Sequence, residues 1–224
     1  MGKKFFEEIE LFLFDMDGLL FDTETIYVGY GREVAKKMGY TITKDIVEKT
    51  TGVTDDKARI LFKESLGQDF PYDEMMGKVK NHILELAKKS EVPLKPGALE
   101  LLEFLRENNK EMILATSSDL FMAEALINGK DLKKYFSHFV TAEDVVHGKP
   151  DPEVFLIGAK KAGVSPKKTA VFEDSFNGIR AAHAAGTFPI MVPDKLKPTE
   201  EIEKLVYKKF NSLVEVLDYF KGNN

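Results

Sequence analysis

The chain has 224 residues and no cysteine, which excludes disulfides, thiolate catalysis and cysteine-ligated metal sites. Its formal net charge of −5 gives no electrostatic case for nucleic acid or an anionic membrane as partner. With 43% hydrophobic and 31% charged residues, it has the composition of a globular protein able to bury a sizeable core.

Acids interrupt Met1 to Glu8 before a signal-peptide core could form, and no apolar run approaches a membrane span. A cytoplasmic location is expected. Leu11 to Phe14 is four consecutive large apolar residues, which predicts a strand buried on both faces of a parallel sheet. Behind it stands Asp15-Met16-Asp17-Gly18. Two carboxylates would then sit at the strand's carboxyl end, where open α/β sheets place ligands. Such a pair can attack an electrophile, move a proton or hold a hard cation. Alone, the motif reads better as a solvated acidic turn.

From Thr23 to Lys89 the pattern is helical. Val34, Ala35 and Met38 precede Gly39, while Ala58, Leu61, Phe62 and Leu66 precede Gly67. A third helix is predicted over Tyr72 to Lys89, its Met75 and Met76 filling core. From Pro96 the chain alternates. Helices are expected over Ala98–Asn108, Asp119–Ile127, Pro152–Ala162 and Phe176–Ala185. Strands are expected over Glu111–Ala115, Phe139–Thr141, Thr169–Phe172 and Pro189–Val192. This alternation argues for a parallel sheet with helices on both faces, and makes the earlier helical block an insertion. The charged C-terminal stretch from Thr199 is expected to hold a short strand and a surface helix around Leu213 to Phe220.

Glu173-Asp174 ends another predicted strand and should reach the same sheet edge as Asp15. Carboxylates gathered there repel unless a cation sits among them, and Mg²⁺ fits because it takes oxygen ligands and bridges to phosphate. Glu173-Asp174-Ser175 also suits the N-terminus of the following helix. Thr116, after the strand ending at Ala115, can cap a helix or hold phosphate oxygens. Lys149 in Gly148-Lys149-Pro150-Asp151-Pro152 is a loop lysine that would balance the acids. The four histidines share no metal-ligand spacing.

Four pieces stand in order: Asp15 to Glu24, Ala115-Thr116-Ser117-Ser118, Gly148 to Pro152, and Phe172-Glu173-Asp174-Ser175. Together this set resembles the haloacid dehalogenase-like superfamily, in the branch of β-phosphoglucomutase and sugar phosphatases, from about Ile9 to Pro193. The resemblance implies an α/β fold, a Rossmann-like core over residues 1–21 and 93–224, and an inserted helical cap over 22–92. It makes Asp15 the nucleophile and Asp17 the general acid/base. It places Mg²⁺ on Asp15, the Asp17 backbone carbonyl and Asp174, with Glu173 joining the metal or holding a metal-bound water. Thr116, assisted by the Ser117 backbone, and Lys149 would hold the phosphoryl group, and Lys149 would also neutralise the nucleophile.

The activity implied is Mg²⁺-dependent hydrolysis of a small phosphomonoester, such as a sugar phosphate, through an aspartyl-phosphate. The partner would be a small phosphorylated metabolite, and a monomer is expected. Alternatives are a phosphosugar mutase of the β-phosphoglucomutase type and a non-catalytic phosphate- or metal-binding regulatory module. The mutase's histidine after the first motif and arginine in the cap correspond to Tyr27 and Asp55, which favours hydrolysis. Asp17 argues against the metal-free dehalogenases. Gly52-Val53-Thr54 is expected to be a cap loop facing the site.

Overall fold

A computed structural model describes residues 2–222. Its strands are β1 (Leu11–Phe14), β2 (Glu111–Ala115), β3 (His138–Val140), β4 (Thr169–Glu173), β5 (Phe188–Met191) and β6 (Lys208–Lys209). They form one parallel six-stranded sheet in the order β3-β2-β1-β4-β5-β6. The helices in chain order are α1 (Gly2–Glu8), α2 (Thr23–Lys37), α3 (Lys44–Thr50), α4 (Asp55–Leu66), α5 (Tyr72–Lys88) and α6 (Ala98–Glu107). Then come α7 (Leu120–Gly129), α8 (Glu153–Ala162), α9 (Phe176–Ala184), α10 (Glu200–Leu205) and α11 (Leu213–Lys221).

β1 lies at the centre, and all four of its residues are buried. Successive side chains of a strand point to opposite faces. Phe12 and Phe14 therefore join the cluster containing Leu101 and Leu105 of α6 and Val216 and Phe220 of α11. Leu11 and Leu13 pack with Val154 and Phe155 of α8 and Ala181 and Ala182 of α9. The expected α/β architecture, with helices on both faces, is what forms. β1 pairs with β2 on one side and β4 on the other, so the strand order reverses there. A crevice at the carboxyl ends of the strands follows from that topology.

Between β1 and β2, α2 to α5 form the inserted helical region around a separate core that includes Val34, Ile46, Phe62, Phe70 and Met75. Its two chain connections run side by side. Asp22 N donates to Pro93 O at 3.0 Å and Lys95 N to Leu20 O at 2.8 Å, with a bridge between Phe21 and Leu94.

Two details differ from the sequence expectations. α1, α3 and α10 are additional short helices. α11 is not a surface helix: Leu213, Val216 and Phe220 are buried. Phe220 meets Phe12 and Phe172 of the sheet, because an aromatic face this large has to be covered. No helix among the described residues is long and apolar enough to cross a membrane.

Candidate active site

The predicted residues come together because each follows a strand at the same sheet edge. Asp15 follows β1, Thr116 and Ser117 follow β2, Lys149 lies in the loop after β3, Glu173 ends β4 and Asp174 follows it. All of them, with Asp17, line one cavity of about 510 Å³. Tyr27, Val53, Thr54 and Asp55 of the insertion line it too, so the expected loop does face the site.

Gly18 makes the close packing possible. Its φ of +80° is left-handed, and a methyl group there would run into the Asp174 carboxylate. Gly178, in the first turn of α9, likewise leaves room for the Glu173 carboxylate.

At the centre, the Lys149 ammonium donates to Asp15 Oδ1 at 2.5 Å, Glu173 Oε1 at 2.7 Å and Ala115 O at 3.1 Å. Burial lowers the affinity of Lys149 for its proton, but Asp15 and Glu173 outweigh burial and hold its pKa above the ordinary lysine value. Lys149 is therefore a fixed cation. Asp15 is pushed up to about 7, chiefly by burial and opposed by Lys149, with Glu173 and Asp17 adding to the rise. Burial, then the Glu173 and Asp15 charges, hold Asp174 well above the carboxylate range.

Glu173 is more committed than the sequence suggested. While Oε1 meets Lys149, Oε2 accepts from the backbone N and Oγ of Ser175 at 2.8 and 2.9 Å. Ser175 Oγ in turn accepts from Gly178 N, so helix capping and acid placement coexist. Among the described residues no three acidic or histidine side chains converge as a ready-made metal cage.

Asp17 is held by two residues that the sequence alone did not single out. Thr23 Oγ1 donates to its Oδ1 and Ser118 Oγ to its Oδ2, both at 2.7 Å. Ser118 also donates its backbone N–H to Thr116 Oγ1 at 3.0 Å. Glu24, another residue with no signal of its own in the sequence, lines the cavity and is pushed up to about 7 by burial, then by Asp17 and Asp194. Its neighbour Tyr27 is raised as well, mostly by burial. Asp55 accepts from Tyr72 Oη at 2.8 Å and pairs with Arg59 at 3.2 Å.

Residues 9–186 match the model of the haloacid dehalogenase-like hydrolases. A phosphorylated carbohydrates phosphatase of Thermotoga maritima is 35% identical over 182 residues, covering 80% of this chain and 82% of that protein. Hexitol phosphatase B of Escherichia coli K12 is 31% identical over 206 residues, covering 91% and 92%. The crystal structure of a family IA, variant 3 hydrolase from Entamoeba histolytica superposes with a TM-score of 0.78 at 26% identity, covering 95% and 100%. Motifs, sheet order and relatives agree: the chain belongs to the haloacid dehalogenase-like hydrolase family.

Proposed function

We propose that this protein is a phosphatase of small phosphorylated molecules, among them phosphorylated sugars, and that it works through an aspartyl-phosphate on Asp15. The observation that carries the mechanism is the Lys149 ammonium seated against Asp15 at the sheet edge, with Asp17 two residues on. An Asp15 oxygen attacks phosphorus while the bond from phosphorus to the leaving oxygen breaks. Asp17 gives its proton to the departing alkoxide and then takes one from the water that attacks the aspartyl-phosphate. That second attack breaks the bond between Asp15 and phosphorus, releasing inorganic phosphate and restoring the carboxylate. Thr116, Ser117 and Lys149 hold the phosphoryl oxygens, and the Lys149 charge is in place before charge develops on them.

The donors around Asp15 fit Mg²⁺. They are all oxygen, and Asp174 approaches the Asp15-to-Gly18 turn closely enough that only glycine fits between them. Asp15, the Asp17 backbone carbonyl and Asp174 would hold the ion, which supplies charge neutralisation for the transferring phosphoryl group. Both Glu173 oxygens already have partners, which supports a role in placing Lys149 rather than in ligating the metal.

Residues 22–92 act as the cap over a core of residues 1–21 and 93–224. Closure about the paired crossings at Asp22 and Pro93 would exclude water, and reopening would release the alcohol. An acid, Asp55, lies in the cap wall of the cavity. That disfavours a second phosphate there, and with it mutase chemistry. Phosphate release from a panel of sugar phosphates, alditol phosphates and nucleotides, with and without Mg²⁺, tests the reading. Metal-dependent release that Asp15→Asn abolishes is expected. Undiminished release by that variant would overturn the mechanism.

A further inference from the structure

Lys149 has to be held against Asp15, yet the loop that carries it has little packing of its own. Val146 is 82% exposed, and His147, Gly148 and Pro150 are exposed too, while Lys149 itself is buried. A segment with so few apolar contacts is kept in place by its hydrogen bonds or opens readily. Here the bonds converge on one side chain. Val146 N and His147 N both donate to Glu153 Oε2, at 2.9 and 2.8 Å. Across Lys149, Asp151 N donates to Gly148 O at 3.1 Å, and Glu153 N donates to Asp151 Oδ1 at 3.0 Å.

Glu153 is the first residue of α8, and the same helix reaches the other end of the lysine. Phe155 is fully buried, and its ring centroid lies 5.0 Å from Lys149 Nζ. α8 is anchored in turn, because Val154 and Phe155 pack with Leu11 and Leu13 of β1. β1 leads directly into Asp15. Glu153 therefore ties the backbone of the lysine loop to a helix seated on the strand that carries the nucleophile. A carboxylate oxygen accepting two backbone N–H groups makes charge-assisted bonds, which are stronger than neutral ones.

We infer that Glu153 is a positioning residue for Lys149. It acts through the reach of its carboxylate to Val146 N and His147 N, not through its charge at the start of a helix. Without that clamp the loop loosens, and the Lys149 ammonium no longer meets the transferring phosphoryl group in a fixed place. This assignment rests on the phosphatase reading and deepens it.

The test separates reach from charge. Glu153→Gln keeps an oxygen at the same distance and loses the charge. Glu153→Asp keeps the charge that suits a helix N-terminus and is one methylene too short. Glu153→Asp and Glu153→Ala should each lower kcat by about 10–100-fold, the cost of misplacing a group by about 1 Å. Affinity for orthovanadate, a mimic of the transferring phosphoryl group, should fall with kcat in both. Glu153→Gln should retain most of the wild-type kcat and vanadate affinity. An acid serving only the helix predicts the reverse order, with Glu153→Asp close to wild type and Glu153→Gln as damaging as Glu153→Ala. That order would overturn the assignment, as would an equal fall in all three variants. Lower melting temperatures with kcat and vanadate affinity intact would overturn it too. Should Glu153→Ala fail to fold, the contrast between Glu153→Asp and Glu153→Gln decides. Absence of phosphate release by the wild-type protein from every phosphomonoester would overturn the phosphatase reading itself, and this assignment with it.

Discussion

Lys149 Nζ lies 2.7 Å from Glu173 Oε1, in a pair whose side chains are 6% and 0% exposed. Removing the lysine strands two buried acids, Asp15 and Glu173, whereas removing Glu173 leaves Lys149 its contact with Asp15. Lys149→Met should therefore destabilise the fold by about 3–5 kcal/mol and abolish turnover. Glu173→Gln should destabilise less. Adding Glu173→Gln to Lys149→Met should restore part of the stability and none of the activity. Denaturant melts of the single and double variants measure this.

The hydroxyls of Thr23 and Ser118 fix both oxygens of Asp17. Thr23→Val and Ser118→Ala should each lower kcat by about 10-fold. Asp17→Asn should lower it by about 10²–10⁴-fold, the range of acid–base loss. Steady-state kinetics with one phosphomonoester checks the order, and hydroxyl variants as damaging as Asp17→Asn would show that they touch the chemistry directly.

Glu24 shapes the dependence of stability on pH. Its carboxyl rises from 4.5 to about 7 on folding, mainly through burial. Between those values the folded chain binds more protons than the unfolded one, so this group's contribution to stability falls as pH rises. Glu24→Gln removes that penalty. In the absence of divalent metal, the variant's stability relative to wild type should grow from pH 4.5 to 8, by on the order of 1–3 kcal/mol. Thermal melts across that range read it directly, and a difference independent of pH would contradict burial of the Glu24 carboxyl as the cause.

Gly18→Ala should reduce both Mg²⁺ affinity and turnover, because the left-handed backbone and the Asp174 carboxylate leave no room for a side chain. Calorimetric titration with Mg²⁺ separates this from loss of fold.

Most of the sheet and much of the site were legible because they are written locally. Leu11–Phe14 is a continuous apolar run and Ala170–Phe172 a shorter one, and Asp15, Thr116 and Asp174 follow strands directly. What escaped was short or distant. α3 spans seven residues, too few for a period to emerge, although Thr43 capping Ile46 N was a usable signal. Ser118 reaches Asp17 across 101 positions, and Lys95 meets Asp194 across 99. Only the folded sheet edge brings those partners together. The apolar residues of the C-terminal helix were legible from their helical repeat, but not that Phe220 would cover Phe12 of the central strand.

The central claim is that Asp15 carries the phosphoryl group. Acid quenching during turnover of a phosphorylated alditol, followed by peptide mass spectrometry, tests it most directly. The account predicts one phosphoryl group on the peptide containing Asp15, released by hydroxylamine as an acyl phosphate and absent from Asp15→Asn. An unmodified Asp15 peptide under conditions of active turnover, with the label on another residue, would contradict it.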